Sequence, residues 1–395
     1  MSQRPISLSP DLKKLRDEGH DLEIQSAFLL VKGVPYVTAA KVVKRGILAM
    51  SLTLAGDVTI RPDDHVAHFI GDYPCREDGQ PIEQIRNQSG RRAIAAGVEV
   101  DHTFSAKPKP AESYENYYAK VTTYVAILSG PARLIDPSAT ATTFSPIAAG
   151  DDDSSPFNYL DTASSRAEIG AVTRKLEVEP VAIVGVGGTG AYVLDLIAKT
   201  PPREIHLFDG DVFLQHNAFR APGAASLEEL RAQPSKVAYL QGIYSKMRRG
   251  IVAHKESIGT ENVEQLREMS FVFLCMEGGV AKRLIVERLD QYGVPFVDVG
   301  LGIDLTDNAL GGILRVTTST REKRDHVLER IPFADGEAND DYARNIQIAD
   351  LNALNAALAV IRWKKACGFY RDLEGEHHCA YTIDGNTVTN DDRVS

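Results

Sequence analysis

A short apolar run, Val181-Ala182-Ile183-Val184, opens into a glycine turn, Gly185-Val186-Gly187-Gly188-Thr189-Gly190, and then into a helical pattern carried by Tyr192, Val193, Leu194, Leu196 and Ile197. A second apolar run, Ile205-His206-Leu207-Phe208, ends in Asp209-Gly210-Asp211, and Asn217 and Arg220 come next. This order of strand, glycine turn, helix, strand and acidic end constrains the fold more than any other feature of the chain. Glycines after a strand let the backbone turn sharply and approach a ligand closely. The helix beyond them points free N–H groups and its positive end at a phosphate. An acid about 20 residues past the turn is placed to accept from ribose hydroxyls, and Asp209 holds that place. The stretch predicts a nucleotide site lined by Gly185, Gly187, Gly188, Thr189, Gly190, Asp209 and Asp211.

The bulk of the chain sets the limits around that site. Its 395 residues exceed one ordinary domain, so two are expected. A net charge of −10 argues against a general nucleic-acid binder. No run of about 18 apolar residues exists, so no membrane span is expected. The start, Met1-Ser2-Gln3-Arg4-Pro5, lacks the apolar core of a signal peptide. The four cysteines, at 75, 275, 367 and 379, form no C-x-x-C pair. That argues against a zinc ribbon and fits a reducing cytoplasm.

Residues 1–135 read as a smaller α/β domain. Ile24–Leu30 is an apolar helix or strand. Alternation in Ser51–Leu54, Thr59-Ile60 and Val66–Ile70 suggests strands, with Gly56-Asp57 as a turn. Tyr117, Val121, Tyr124 and Leu128 fall at helical spacing. Residues 136–157, rich in Ser, Thr, Ala and Pro with an Asp151-Asp152-Asp153 break, read as a linker. Residues 158–395 carry the nucleotide fold. A helix is expected over Tyr159–Leu176, buried strands at Phe271–Leu274 and Pro295–Val299, and a helix at Val280–Tyr292 between them. Gly311–Val316 is expected to be a strand and residues 318–345 a loop or crossover. A long helix over Ile346–Lys365 puts Leu351, Leu354, Leu358 and Ile361 on one face. The last 25 residues are polar and take no firm assignment.

The residues beyond the acidic end decide which nucleotide chemistry is in play. Asp209-x-Asp211, then Asn217, Arg220 and Lys236 resembles the ThiF/MoeB family, which includes the catalytic domains of ubiquitin-activating enzymes. The resemblance covers about residues 159–365 and is most specific from Val181 to Lys236. It implies a Rossmann-like adenylation domain, a mostly parallel sheet with helices on both faces. It implies ATP and Mg2+ as cofactors, with Asp209 on the ribose and Asp211 near the metal and phosphates. Asn217, Arg220 and Lys236 would clamp the triphosphate, as suits cations facing phosphate oxygens. The family's magnesium aspartate is replaced here by Glu277, and a nearby arginine by Lys282. Glu277 is then a metal ligand one methylene longer or, read plainly, a surface acid before the helix at Val280. Family members are dimers in which an arginine ahead of the first strand reaches the partner's ATP; Arg166 stands there, and an ordinary solvated arginine is the alternative. The strings His216–Gly223 and Asn352–Ala356 look like bacterial members encoded beside ubiquitin-like proteins and isopeptidases.

The implied reaction joins the C-terminal carboxylate of a ubiquitin-like protein to AMP. The nucleophile is ionised at neutral pH, so catalysis is chiefly positioning and charge neutralisation. Ubiquitin-activating enzymes then use a crossover cysteine, but no cysteine lies between Met276 and Ala366. Cys275 reads as a packed core thiol. Cys75 reads as a loop thiol beside an arginine that would lower its pKa, Cys367 as a helix-end thiol, and Cys379 as part of a His377-His378-Cys379 cluster with too few ligands for a metal. The first domain is either a recruiter of the ubiquitin-like protein or a conjugating enzyme, or a degenerate conjugating-enzyme-like fold. Phe104–Pro108 and Tyr117-Tyr118 are either its contact surface or its core. Rival activities are an NAD-dependent oxidoreductase and ThiF-type activation of a sulfur carrier, a small molecule or tRNA. A non-catalytic scaffold also remains.

Overall fold

The computed structural model describes residues 4–111, 113–149, 155–333 and 346–394. The acidic break at Asp151–Ser154 and the second half of the expected crossover lie outside them. The chain forms two compact units. One comprises residues up to 154 together with Tyr159–Arg166; the other comprises Ser155–Asn158 and Ala167 onward. Among the described residues no helix is long and apolar enough to cross a membrane.

The first unit is an antiparallel sheet of six strands: β1 (Asp21–Gln25), β2 (Phe28–Val37), β3 (Val43–Ser51), β4 (Val66–Ile70), β5 (Arg86–Ala95) and β6 (Val98–Ser105), in the order β1-β2-β3-β4-β6-β5. Helix α1 (Pro10–Asp17) precedes it, and helix α2 (Tyr117–Ile135) packs against it. The Asn116 side chain starts α2 by accepting from the Ala119 N–H at 2.9 Å. The face expected from spacing is the buried one: Tyr117, Val121, Tyr124 and Leu128 have no exposed surface. Their polar tips are satisfied internally. Tyr117 donates to the Ser51 carbonyl at 2.9 Å and accepts from the Thr53 N–H at 2.8 Å. Phe104 is buried with them, so Phe104 and Tyr117 are core residues. Ile24–Leu30 resolves into two strands joined at Ser26-Ala27, both at positive φ.

The second unit holds eight strands: β7 (Val181–Val184), β8 (Ile205–Phe208), β9 (Ile251–His254), β10 (Phe271–Leu274), β11 (Phe296–Thr306), β12 (Ala309–Ser319), β13 (Glu376–Thr382) and β14 (Thr387–Arg393). Their order is β9-β8-β7-β10-β11-β12-β13-β14, parallel from β9 to β11 and antiparallel beyond. Among the described residues the longer helices are α3 (Gly188–Ile197), α4 (Lys236–Tyr244), α5 (Val280–Tyr292) and α6 (Ala349–Ala366). Alternate residues of β7 and β10 feed two cores. Val181, Ile183, Phe271 and Phe273 pack with α3, α4 and α6, while Ala182, Val184, Val272 and Leu274 pack with α5. Short strands that are apolar on both sides are what a helix-covered parallel sheet requires.

Two expectations are corrected, and one unassigned stretch is resolved. Tyr159–Leu176 is not one helix but short turns at Thr162–Arg166, Gly170–Thr173 and Arg174–Leu176, interrupted where Glu168 takes a φ of +59°. The buried face of α6 is Asn352, Asn355, Ala356, Ala359 and Trp363, whereas Leu354 is 37% and Ile361 40% exposed. Close approach to the glycine turn selects small and amide side chains over leucines there. The polar C-terminal stretch extends the sheet as β13 and β14.

Trp363, the one tryptophan of the chain, is fully buried and meets Phe273 edge-on at 6.1 Å. Its fluorescence therefore reports the second unit alone. Trp363→Ala is expected to lower that unit's thermal midpoint on the order of 10 °C, as a lost buried aromatic does. Wild-type emission should shift red in a single step that tracks the loss of circular dichroism from this unit.

Candidate functional site

The glycine turn between β7 and α3 is built by close approaches. Gly185 has a φ of +85° and donates its N–H to the Phe208 carbonyl at 2.8 Å. A methyl at Gly190 would lie 1.9 Å from the Gly185 carbonyl oxygen, and one at Gly188 would lie 2.1 Å from Nδ2 of Asn352. Gly187 has open space at its α-carbon, on the side where a cavity begins.

That cavity, about 640 Å³, lies at the ends of the parallel strands and is lined by Gly185, Gly187, Gly188, Thr189, Asp209, Asp211, Arg220, Lys236 and Glu277, among others. Its size is that of a small-molecule site, and the crevice outside strand ends is where such sheets bind ligands. Of the residues singled out in sequence, Gly190 and Asn217 support this wall from behind without lining it. Arg166 belongs to the first unit, its guanidinium stacked 5.6 Å from the Phe144 ring.

Asp209 organises one side. Its Oδ2 accepts from the Val186 N–H at 2.9 Å, and its Oδ1 accepts from the Asp211 N–H at 2.9 Å. Lys236 is the first residue of α4, whose N-cap Ser235 accepts from the Ala238 N–H. It is nearly buried, with Nζ 2.6 Å from Asp211 Oδ2 and 3.6 Å from Asp209 Oδ1. Asn217 accepts from the Leu214 N–H at 2.8 Å and so closes the turn at Gln215–Ala218. The Arg220 N–H donates to the Asn217 carbonyl at 3.1 Å. Asn217 Nδ2 and Arg220 Nε are buried donors without a hydrogen-bond partner among the described residues. Buried donors left open beside a cavity are what an incoming anion would satisfy.

Across the cavity stands a cluster of Lys282, which takes the place of a family arginine, with Asp298 and Arg315, which had no role in sequence. Asp298 on β11 has no exposed surface. Arg315 Nη2 lies 2.6 Å from its Oδ2 and Lys282 Nζ 2.7 Å from its Oδ1. Asn352 likewise had no role in sequence. Fully buried on α6, it accepts from the Thr189 hydroxyl at 2.8 Å and donates to the Arg220 carbonyl at 3.3 Å, tying α6 to the glycine turn and to the loop that carries Arg220. The signal for both was a polar residue inside a stretch that otherwise reads as core.

Glu277 is exposed in the loop after β10. Glu277 and Asp211 offer carboxylate oxygens to the same cavity, a donor type suited to Mg2+. Among the described residues no three His, Cys, Asp or Glu side chains gather around a common point. An ion here would take one or two protein carboxylates and complete its shell with phosphate and water. The thiols are all shifted one way. Burial pushes Cys75, Cys275 and Cys379 above the ordinary thiol range, and Cys367 to about 11. For Cys275, Asp298 adds to the rise. Cys75 is therefore not the loop thiol with a lowered pKa expected from its neighbours; it is 2% exposed, and the raising effect of burial outweighs Arg86.

Residues 164–306 match the ThiF family model and are a ThiF-family domain; residues 10–162 match a domain of unknown function, DUF6791. The chain is similar to the crystal structure of PaaA at 17% identity, over 59% of this chain and 71% of that one, with a TM-score of 0.45. It is similar to E. coli MccB with ATP at 14% identity, over 62% and 72%, with a TM-score of 0.46. To E. coli MccB with MccA-N7isoASN it is similar at 15% identity, over 59% and 68%, with a TM-score of 0.43. None of the curated proteins compared with it matches.

The close approach at Gly190 gives a direct test of the turn. Because the added methyl would meet backbone, Gly190→Ala is expected to lower the thermal midpoint of the second unit by several degrees. Gly187→Ala, with open space, should leave the midpoint within about 2 °C. Differential scanning fluorimetry of the pair reads the contrast.

Proposed function

We propose that this chain, whose residues 164–306 are a ThiF-family domain, binds ATP and adenylates the C-terminal carboxylate of a ubiquitin-like protein in a bacterial conjugation pathway. The observation that carries the reading is the buried Arg220 Nε, without a hydrogen-bond partner among the described residues, in a wall shared with the glycine turn and Lys236. In this reading the N–H groups of the turn and α3 face the phosphates. Asp209 keeps lone pairs for the ribose beyond those its backbone donors use. Arg220 and Lys236 clamp the triphosphate, and Asn217 holds the turn that presents Arg220. Mg2+, held by Glu277 with Asp211 nearby, would supply charge neutralisation at the phosphates.

A carboxylate oxygen attacks the α-phosphorus, a new O–P bond forms, and the bond to the bridging oxygen breaks with its electrons leaving on pyrophosphate. No proton need be removed from the nucleophile. The protein's part is to align the two reactants and offset the charge that builds on the phosphates. Arg166 is assigned to a partner subunit's nucleotide in a homodimer, for which the exposed Leu354 and Ile361 of α6 supply an apolar stripe. The first unit recruits the protein partner.

All four thiols sit above the range in which a thiolate forms at neutral pH, which supports adenylation without an internal thioester. The acyl group would then pass to a nucleophile on a partner.

ATP–pyrophosphate exchange with a ubiquitin-like protein bearing a free C-terminal carboxylate tests the reading, and exchange at the no-protein background would refute it. Arg220→Ala should lose on the order of 10³-fold in exchange with an unchanged thermal midpoint. Glu277→Asp should keep activity and Glu277→Gln should lose most of it; equal rates for Gln and wild type remove Glu277 from the metal. A variant with Cys75, Cys367 and Cys379 changed to alanine should exchange like wild type, and no DTT-sensitive adduct should form with the partner. An adduct abolished by one of those changes would identify a thioester-forming enzyme instead.

A further inference from the structure

We propose that Arg315, fixed by Asp298 over Gly300, forms a second anion subsite in the cavity, and that it takes the free carboxylate at the end of the acceptor polypeptide. The inference rests on the adenylation reading and names the group that holds its second substrate.

Strand register builds the subsite. On the β11–β12 pair, Gly300 stands opposite Arg315 and Asp298 opposite Thr317. Residues two apart share a face, so these four project together, while Val299 and Val316 pair on the other face inside the core. Arg315 Nη2 lies 2.6 Å from Asp298, and its Nη1 donates to the Thr317 hydroxyl at 2.9 Å. That hydroxyl is in turn 3.1 Å from His378 Nδ1 on β13. Gly300 makes room: a methyl there would lie 2.7 Å from Nη2. The guanidinium is thus held flat over the strand, and it lines the cavity. Nη1 and Nη2 are engaged at one bond each among the described residues, which leaves further N–H donors for an anion.

Charge points the same way. Lys282 and Arg315 share one carboxylate, so the cluster carries one positive charge more than Asp298 cancels, in a wall where Lys282 and Asp298 are almost wholly buried. The surplus is carried by Arg315, which faces the cavity, where an anion can meet it. The phosphates of the proposed nucleotide belong with the glycine turn after β7, and the guanidinium lies over Gly300 of β11, two strands away in the sheet, roughly 10 Å at ordinary strand spacing. Adenylation brings two anions together, a phosphate and a carboxylate. Separate cations at separate strands let the second approach the first against their repulsion.

The full chain, saturated with a non-cleavable ATP analogue, is titrated with two otherwise identical glycine-terminated peptides, one ending in a free carboxylate and one in a C-terminal amide. Wild type is expected to bind the acid about tenfold or more tightly than the amide. Arg315→Gln and Gly300→Ala should lose that preference while still binding the ATP analogue as wild type does, and Arg315→Lys should keep part of it. Gly300→Ala matters because it displaces the guanidinium without removing its charge. An undiminished preference in Arg315→Gln overturns the assignment, as does a wild type with no preference for the acid. A wild type that fails to bind the ATP analogue overturns instead the adenylation reading beneath it.

Discussion

The Asp209 carboxylate is the tie on which the second unit's cavity depends. It stands at the end of β8 and accepts from the Val186 N–H of the neighbouring turn and from the Asp211 N–H of its own loop. Carboxylate-to-amide hydrogen bonds are strong because the acceptor is charged, and the one to Val186 is sheltered from water. The tie fixes the glycine turn relative to the second strand. It also places Asp211, and through Asp211 the ammonium of Lys236. Three elements far apart in sequence acquire one geometry from a single side chain. The same residue is asked to hold the turn and to meet a ribose, two demands that a carboxylate with four lone-pair directions can satisfy together.

Much of the second unit was legible because local physics and final structure agree there. The strand Phe271–Leu274 and the helix Val280–Tyr292 have the bounds expected from apolar runs and flanking glycines. The glycine turn, Asp209, Asp211, Arg220 and Lys236 meet in one cavity as their order implied, since a turn flanked by parallel strands leaves few alternatives. Other features were hidden for physical reasons. Asn352 and Asp298 are polar groups in core positions, and only a tertiary partner explains such a residue. The buried face of α6 departs from the leucine stripe because leucines mark a core only when the neighbour leaves room for them, and the glycine turn does not. The pKa of Cys75 moves against expectation because sequence reveals a nearby arginine but not the depth of burial. The hairpin β13–β14 was invisible because its outer strand is exposed and polar.

The cavity joins two designs. On the β7–β8 side, glycines and backbone donors form much of the wall, beside Arg220 and Lys236. On the β11–β12 side, the backbone is paired within the sheet, and charge is carried by side chains stacked across a strand pair. Backbone donors tolerate little variation, because each depends on a close approach such as that of Gly188 to Asn352. Side-chain clusters can be re-specified by changing one residue. A chain that needs one constant and one variable ligand gains from placing them on these two sides.

The Thr317–His378 hydrogen bond spans 61 residues and joins β12 to a strand near the end of the chain. On a ribosome, β7, β8 and the glycine turn emerge long before β13 exists. The half of the sheet that bears the turn can pair while the far edge still waits for its partner, an arrangement of high contact order that folds slowly. Until β13 arrives, β12 presents an open edge and the Arg315 guanidinium lacks the support that reaches it through Thr317. Synthesis order thus separates the two sides of the cavity in time as well as in space.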